Sequence, residues 1–243
     1  MRKNILIGIS SGIAAYKVLD LIKLLKNEGN EVFVIMTKGV VAMFPLQDFE
    51  KASGNRVFVN LFEKNFNYRD VLKKRKVEHI ELTDKADVMV IAPATANIIA
   101  KLAHGIADDF LTTSALAFSR PIIICPSMNV NMWGNPIVQE NLAKLKSVGY
   151  QVVEPASGML ACGYEGVGRL EDVEIINKEI IKLLKRNDSL KGKKIIVTAG
   201  GTIEKIDDVR SITNKSSGKM GIALAEECYL RGANVLLLRA KNS

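Results

Sequence analysis

Apolar and polar positions along this chain alternate between two periods, and the switches mark out a repeating order of strand and helix. Asn4–Ile9 (NILIGI) is a short apolar run that ends in Ser10, Ser11 and Gly12, the profile of a buried strand and its turn. From Lys17 to Glu28 the period lengthens. Val18, Leu21, Ile22 and Leu25 share one helical face, with Lys17, Asp20, Lys23 and Lys26 elsewhere. Gly29 follows, where a helix end favours a residue that tolerates positive φ. Glu31–Thr37 (EVFVIMT) is rich in β-branched residues and reads as the next strand. The cycle returns at Val88–Ala92, Pro121–Cys125 and Gln151–Glu154, with helical stretches near Thr95–Leu102, Asp109–Phe118 and Ile137–Ser147. Strands separated by helices predict a parallel sheet covered on both faces, a doubly wound, Rossmann-like α/β domain.

A second unit is expected late in the chain. Glu171 to Arg186 carries Val173, Ile176, Ile180 and Leu184 in helical register, and the polar, basic stretch Asn187 to Lys194 reads as a linker. Beyond it Lys194–Thr198 is strand-like, Gly218 to Leu230 helix-like and Asn234–Leu238 strand-like again. The expected division is therefore 1–186 and 187–243. The second part is the opening βαβ of another α/β domain, too short to close one, since domains usually need about 100 residues.

Composition narrows the class. Apolar residues make up 48% of the 243, enough for a substantial core, while the longest apolar runs are interrupted by charges and proline, so no membrane span is expected. The start of the chain has no signal-peptide anatomy, and three widely spaced cysteines offer neither a disulfide framework nor zinc spacing, which fits a reducing cytoplasm. The net charge of +8 is local: KKRK at Lys73–Lys76, and six Lys/Arg against one acid from Lys182 to Lys194. Such runs read as solvated helix ends and linker, and no nucleic-acid partner is expected.

Gly8-Ile-Ser-Ser-Gly12 follows the first strand and precedes a helix. Backbone N–H groups and serine hydroxyls converge at such a turn and suit an anion. The motif lacks both the Gly-x-Gly-x-x-Gly dinucleotide pattern and the Gly-Lys-Ser/Thr of a P-loop, so a mononucleotide phosphate fits better than a pyrophosphate.

Four blocks carry a more specific signal: Val77-Glu-His79-Ile-Glu-Leu82, Pro93-Ala-Thr-Ala-Asn97, Pro126-Ser-Met-Asn129-Val-Asn-Met-Trp133 and Ala161-Cys162-Gly-Tyr-Glu-Gly-Val-Gly-Arg169-Leu170. In this order they resemble the homo-oligomeric flavin-containing cysteine decarboxylases. More narrowly, they resemble the decarboxylase half of the bifunctional phosphopantothenoylcysteine decarboxylase/phosphopantothenate–cysteine ligases of coenzyme A biosynthesis. The likeness covers residues 1–180, including Lys101 to Thr113. Beyond it, Thr198 to Thr202, Ile206 to Arg210 and Thr213 to Gly221 resemble the start of the ligase half, where the residue at Asn214 helps form an acyl-cytidylate. After the second strand the family usually reads Ser-Gly-Pro, whereas here Arg239-Ala-Lys-Asn-Ser243 follows. Ligase activity, with its CTP and Mg²⁺, is therefore not expected from this chain alone.

The resemblance implies FMN as cofactor and 4′-phosphopantothenoylcysteine as substrate. Flavin would oxidise the thiol-bearing carbon to a thioaldehyde, the adjacent carboxylate would leave as CO₂, and return of the hydride would give 4′-phosphopantetheine. His79, taken as a histidine near a strand edge, is the implied acid/base group, since imidazole titrates nearest working pH. Asn129 would bind the substrate carboxylate through a neutral amide, and Met128 would pack on the flavin ring. Cys162, on a hinged flap from Gly158 to Gly168, would donate a proton to the ene-thiolate, and Arg169 would pair with acidic groups of the substrate. Ser10, Ser11 and Gly12 would hold the FMN phosphate with Thr37 as helper, and Ala94, Thr95 and Asn97 would border the ring or ribityl chain. His104 reads as a loop or helix-end residue, and Cys125 and Cys228 as core. Family members hold flavin between subunits, which implies a trimer or a dodecamer of four trimers.

Three other readings compete. A flavin prenyltransferase of the same fold would not need the set His79, Asn129 and Cys162. A flavin-binding phosphatase regulator would tolerate loss of Cys162, and a nicotinamide dehydrogenase lacks its fingerprint here.

Overall fold

The computed structural model describes residues 2–62, 68–74, 77–160, 163–185 and 187–240. The chain divides into two compact units, Met1–Leu184 and Lys185–Ser243.

In the first unit, β1 (Asn4–Ile9) leads through a 3-10 turn (Ile13–Lys17) into α1 (Val18–Asn27) and β2 (Glu31–Met36). Then come α2 (Lys38–Val41), α3 (Leu46–Ser53), β3 (Val57–Phe58), α4 (Tyr68–Lys74) and α5 (Glu78–Lys85). The chain returns to the sheet centre as β4 (Val88–Ala94) and continues through α6 (Ala96–His104), α7 (Phe110–Ala117) and β5 (Ile122–Pro126). It ends with α8 (Val130–Trp133), α9 (Pro136–Ser147), β6 (Gln151–Val152), β7 (Ala156–Met159), β8 (Glu165–Arg169) and α10 (Val173–Leu184).

Six strands pair in the order β3-β2-β1-β4-β5-β6, all parallel. Side chains alternate across the strands. Ile5, Ile7 and Ile9 of β1 join Val88 and Val90 of β4 and the buried faces of α1 and α10 in one core layer. Leu6, Met89 and Ile91 point the other way, against Leu82, Ile98, Ile99, Phe110, Leu111, Leu142 and Leu145. The expected doubly wound α/β sheet is thus the observed fold. Because the chain runs outward from β1 to β3 and then returns beside β1 as β4, the strand order reverses between β1 and β4. Loops diverge at that point and leave a crevice at the carboxyl ends of the strands.

The structure corrects two local expectations. His79 lies in the first turn of α5 rather than near a strand edge. The run 13–17 is a 3-10 turn, so the long helix starts at Val18. Gly158 to Gly168 is expected as a hinged flap; its described part is built on an antiparallel hairpin of β7 and β8.

In the second unit β9 (Lys194–Ala199) precedes a hairpin of β10 (Ile203–Lys205) and β11 (Ser211–Thr213), then α11 (Lys219–Leu230) and β12 (Asn234–Arg239). Strands β9 and β12 pair in parallel, and α11 packs on them through Ala225 and Cys228. Ile196, Leu236 and Leu238 remain more than half exposed.

Candidate active site

Crevice geometry begins with Ser10, the residue after β1. It is buried, and its hydroxyl donates to Pro93 O at 2.7 Å and accepts from Thr95 N at 3.0 Å. Ser10 N also donates to Pro93 O at 3.3 Å. These bonds brace the end of β1 against the end of β4, so the Ser10 side chain is engaged within the protein. Ser11 is exposed, and its hydroxyl stands 3.0 Å from that of Thr37, at the end of β2. Behind it lies Gly39, where a Cβ would fall 2.1 Å from Ser11 Oγ. Only glycine leaves room for that hydroxyl.

From this end a cavity of about 1260 Å³ extends over the sheet, lined among others by Ser11, Gly12, Thr37, Thr95, Asn97, Met128, Asn129 and Arg169. Ala94 is fully buried and does not reach it; Ala96 does. Thr95 caps α6 and accepts from Ile98 N at 3.5 Å. Asn129 caps α8, with its Oδ1 accepting from Asn131 N at 2.8 Å. The hairpin closes against this loop. Met128 N donates to Gly168 O at 2.9 Å, and a Cβ on Gly168, at φ +153°, would lie 2.3 Å from Met128 O. Arg169, the last residue of β8, pairs with Asp172 at 3.1 Å, while its Nε is buried without a hydrogen-bond partner. Cys162 lies outside the described residues.

His79 does not line the cavity of its own chain. Its ring meets Phe110, which does, edge to face at 6.2 Å. Burial pushes the imidazole below its ordinary pKa of 6.5, and the start of a helix disfavours a cation as well. Asn214, in the second unit, accepts from Ser216 N at 3.0 Å and reaches Thr202 Oγ1 at 3.4 Å.

Sequence reasoning assigned no role to the opposite wall. Lys101 of α6 grips Asp108 at 2.7 and 2.8 Å and lies 3.6 Å from Asp109. That hydrogen bond raises the lysine pKa and lowers that of Asp108. Asp109 caps α7 in a reciprocal box with Thr112. All three acidic and basic groups line the cavity, and the matched stretch Lys101 to Thr113 was the available signal.

The lining combines the hydroxyls of Ser11 and Thr37, apolar surface such as Met128 and Ile13, and the amide of Asn129 and guanidinium of Arg169. An aromatic mononucleotide fits this set, because the Ser11–Thr37 pair suits a phosphate and the cavity holds more than one small molecule. No cluster of metal-ligating side chains occurs among the described residues, and no described helix is long and apolar enough to cross a membrane.

Fold and site together define a doubly wound α/β protein with a mononucleotide-type crevice at the topological switch point. Comparison with known proteins agrees. The pattern of the flavoprotein family matches residues 1–185, and the chain belongs to that family. A second pattern, the DNA/pantothenate metabolism flavoprotein C-terminal domain, matches residues 190–243. The coenzyme A biosynthesis bifunctional protein CoaBC of Bacillus subtilis is 44% identical over 97% of this chain and 57% of its own length. That of Borreliella burgdorferi is 40% identical over 97% of this chain and 58% of its own. The chain thus spans less than two thirds of these relatives. Among solved structures, a PPC decarboxylase mutant complexed with pantothenoylaminoethenethiol superposes with a TM-score of 0.63 at 27% identity, covering 74% of this chain and 97% of that one. The FMN-dependent cysteine decarboxylase SpaF gives 0.61 at 31%, covering 74% and 96%.

Proposed function

We propose that the first unit is an FMN-dependent decarboxylase that converts 4′-phosphopantothenoylcysteine to 4′-phosphopantetheine in coenzyme A biosynthesis, in a reducing cytoplasm. One observation carries the reading: a single cavity joins the Ser11–Thr37 hydroxyl pair to Asn129 and Arg169. The names of the relatives and of the structural neighbours support it.

Bound flavin supplies the reversible two-electron chemistry that lets the carboxylate beside a thiol-bearing carbon depart. The chain's own residues hold, orient and move protons. Ser11, Thr37 and the Gly12 backbone take the cofactor phosphate, with Ser10 as the brace that places them. Thr95, Asn97 and Met128 border the rest of the cofactor. Asn129, fixed by its own turn, meets the substrate carboxylate with a neutral amide. A lysine there would stabilise the ground-state charge and resist CO₂ loss. His79, kept neutral by burial, accepts and returns a proton, and Cys162 donates to the product thiolate side. Arg169 meets an acidic group of the substrate. Since His79 stands off the wall of its own chain, and Ile13, Tyr16 and Met132 expose apolar surface at the mouth, a trimer or dodecamer completes the site.

The second unit is the opening part of a phosphopantothenate–cysteine ligase domain, with Asn214 in the CTP- and Mg²⁺-dependent step.

The test is incubation of the purified chain, supplied with FMN, with phosphopantothenoylcysteine, following flavin absorbance and substrate mass. Loss of CO₂ and appearance of phosphopantetheine is the expected result. Colourless protein that takes up no FMN, or holoprotein that leaves the substrate intact, overturns the proposal. A second incubation with phosphopantothenate, cysteine, CTP and Mg²⁺ tests the ligase reading of the second unit.

A further inference from the structure

His79 stands in a closed circuit of contacts. Its imidazole meets Phe110 at 6.2 Å with the planes at 88°. Phe110 is 2% exposed and stacks on Phe58 at 5.4 Å and 29°. The Arg56 guanidinium covers the Phe58 ring at 4.4 Å, and Arg56 pairs with Glu78, the neighbour of His79. Three separate pieces of chain thus meet around one ring: the start of β3, the first residue of α7 and the first turn of α5. A closed set of this kind fixes orientation better than any one link, because no member rotates without disturbing two others. Phe110 also belongs to the cavity wall, so it touches both the imidazole and the space where a ligand lies. Its own backbone is anchored by the Asp109 cap and by the grip of Lys101 on Asp108.

We infer that Phe110 is a positioning residue: backed by Phe58, its ring sets where the His79 imidazole stands beside the cavity and keeps water from one of its sides. The inference rests on the reading of His79 as the proton-handling group. Aromatic rings suit the task because they offer rigid apolar surface with a preferred edge-to-face geometry. Leucine would fill part of the volume but would let the imidazole turn and hydrate. The charges around His79 are Glu78, Glu81, Asp84 and Lys85 on α5, Arg56 paired with Glu78, and Asp109 at the cap of α7. Strand β1 and helix α7, on which α5 chiefly packs, hold no titratable side chain within their spans.

The 243-residue chain has two histidines, so their imidazole signals in it are separable by NMR, with His104→Gln giving the assignment. In Phe110→Leu the His79 midpoint should rise toward the ordinary imidazole value of about 6.5, and its ring-proton signals should leave their ring-current-shifted position. His104 should not move. Phe58→Leu, which keeps Phe110, should move the same signals in the same direction by less, and it decides the matter should Phe110→Leu not fold. With FMN and phosphopantothenoylcysteine, kcat should fall roughly tenfold at nearly constant KM, the acid limb of the pH profile following the NMR midpoint. Wild-type His79 signals and midpoint in the folded variants overturn the inference. Moved signals with unchanged turnover support it and overturn instead the assignment of proton transfer to His79.

Discussion

An imidazole at the second position of a helix is kept neutral by lost hydration and by the positive end of the helix dipole. For His79 the folded pKa lies below the unfolded value of 6.5. Between the two the unfolded chain binds more protons, so stability rises with pH across that window and is lost as pH falls through it. His79→Asn should flatten this dependence, seen as melting temperatures that vary less below about pH 6.5. The same change should lower decarboxylation by about 10²–10⁴ while flavin binding persists, measured as turnover against the flavin absorbance near 450 nm, roughly the usual band. The chemistry of this residue was legible in its motif, but its placement was not. Ile80 and Leu82 alternate in strand fashion, whereas in the helix Leu82 and Thr83 are buried and Ile80 is 40% exposed. At Gly39 nothing local betrays the need for glycine, because the hydroxyl that excludes a Cβ comes from Ser11, far back in the chain. Gly39→Ala should displace that hydroxyl and weaken FMN binding, read by fluorescence titration.

Helix α7 and the β7–β8 hairpin show how single elements are held. Asp109→Ala removes the cap of α7 and should destabilise the protein by about 1 kcal/mol in a denaturant titration. Gly168→Ala meets two obstacles, a positive φ and the Met128 carbonyl. It should lose more than about 1 kcal/mol, a fall of some 2–4 °C in melting temperature per kcal/mol, roughly, for a chain of this size. Long helices such as α1 and α9 were legible because their apolar positions recur over three turns. The hairpin was not, since its glycines carry no side-chain alternation and its pairing depends on extended backbone that only glycine adopts at 166 and 168. Strand β3 escaped as well. Two residues at a sheet edge give too short a pattern, and their register comes from β2.

At the scale of the whole molecule, the parallel sheet followed from the alternation of strand and helix, whereas its strand order, and with it the switch point between β1 and β4, needed the folded chain. The proposed trimer or dodecamer rests on the resemblance and on the exposed apolar side chains Ile13, Tyr16 and Met132 of the cavity lining; light scattering should report three copies or twelve. The stretch Lys101 to Thr113 stood out as a motif, but that Lys101, Asp108 and Phe110 share one cavity wall needed the folded chain, because they join the end of one helix to the start of the next. The Ser10 brace carries a consequence for kinetics. With its hydroxyl tied to Pro93 and Thr95, the junction of β1 and β4 should hold its shape on binding, so uptake of flavin is expected to be a matter of arrival rather than of remodelling. Rapid-mixing traces should accordingly be single exponentials whose rate climbs in proportion to flavin concentration, with no plateau.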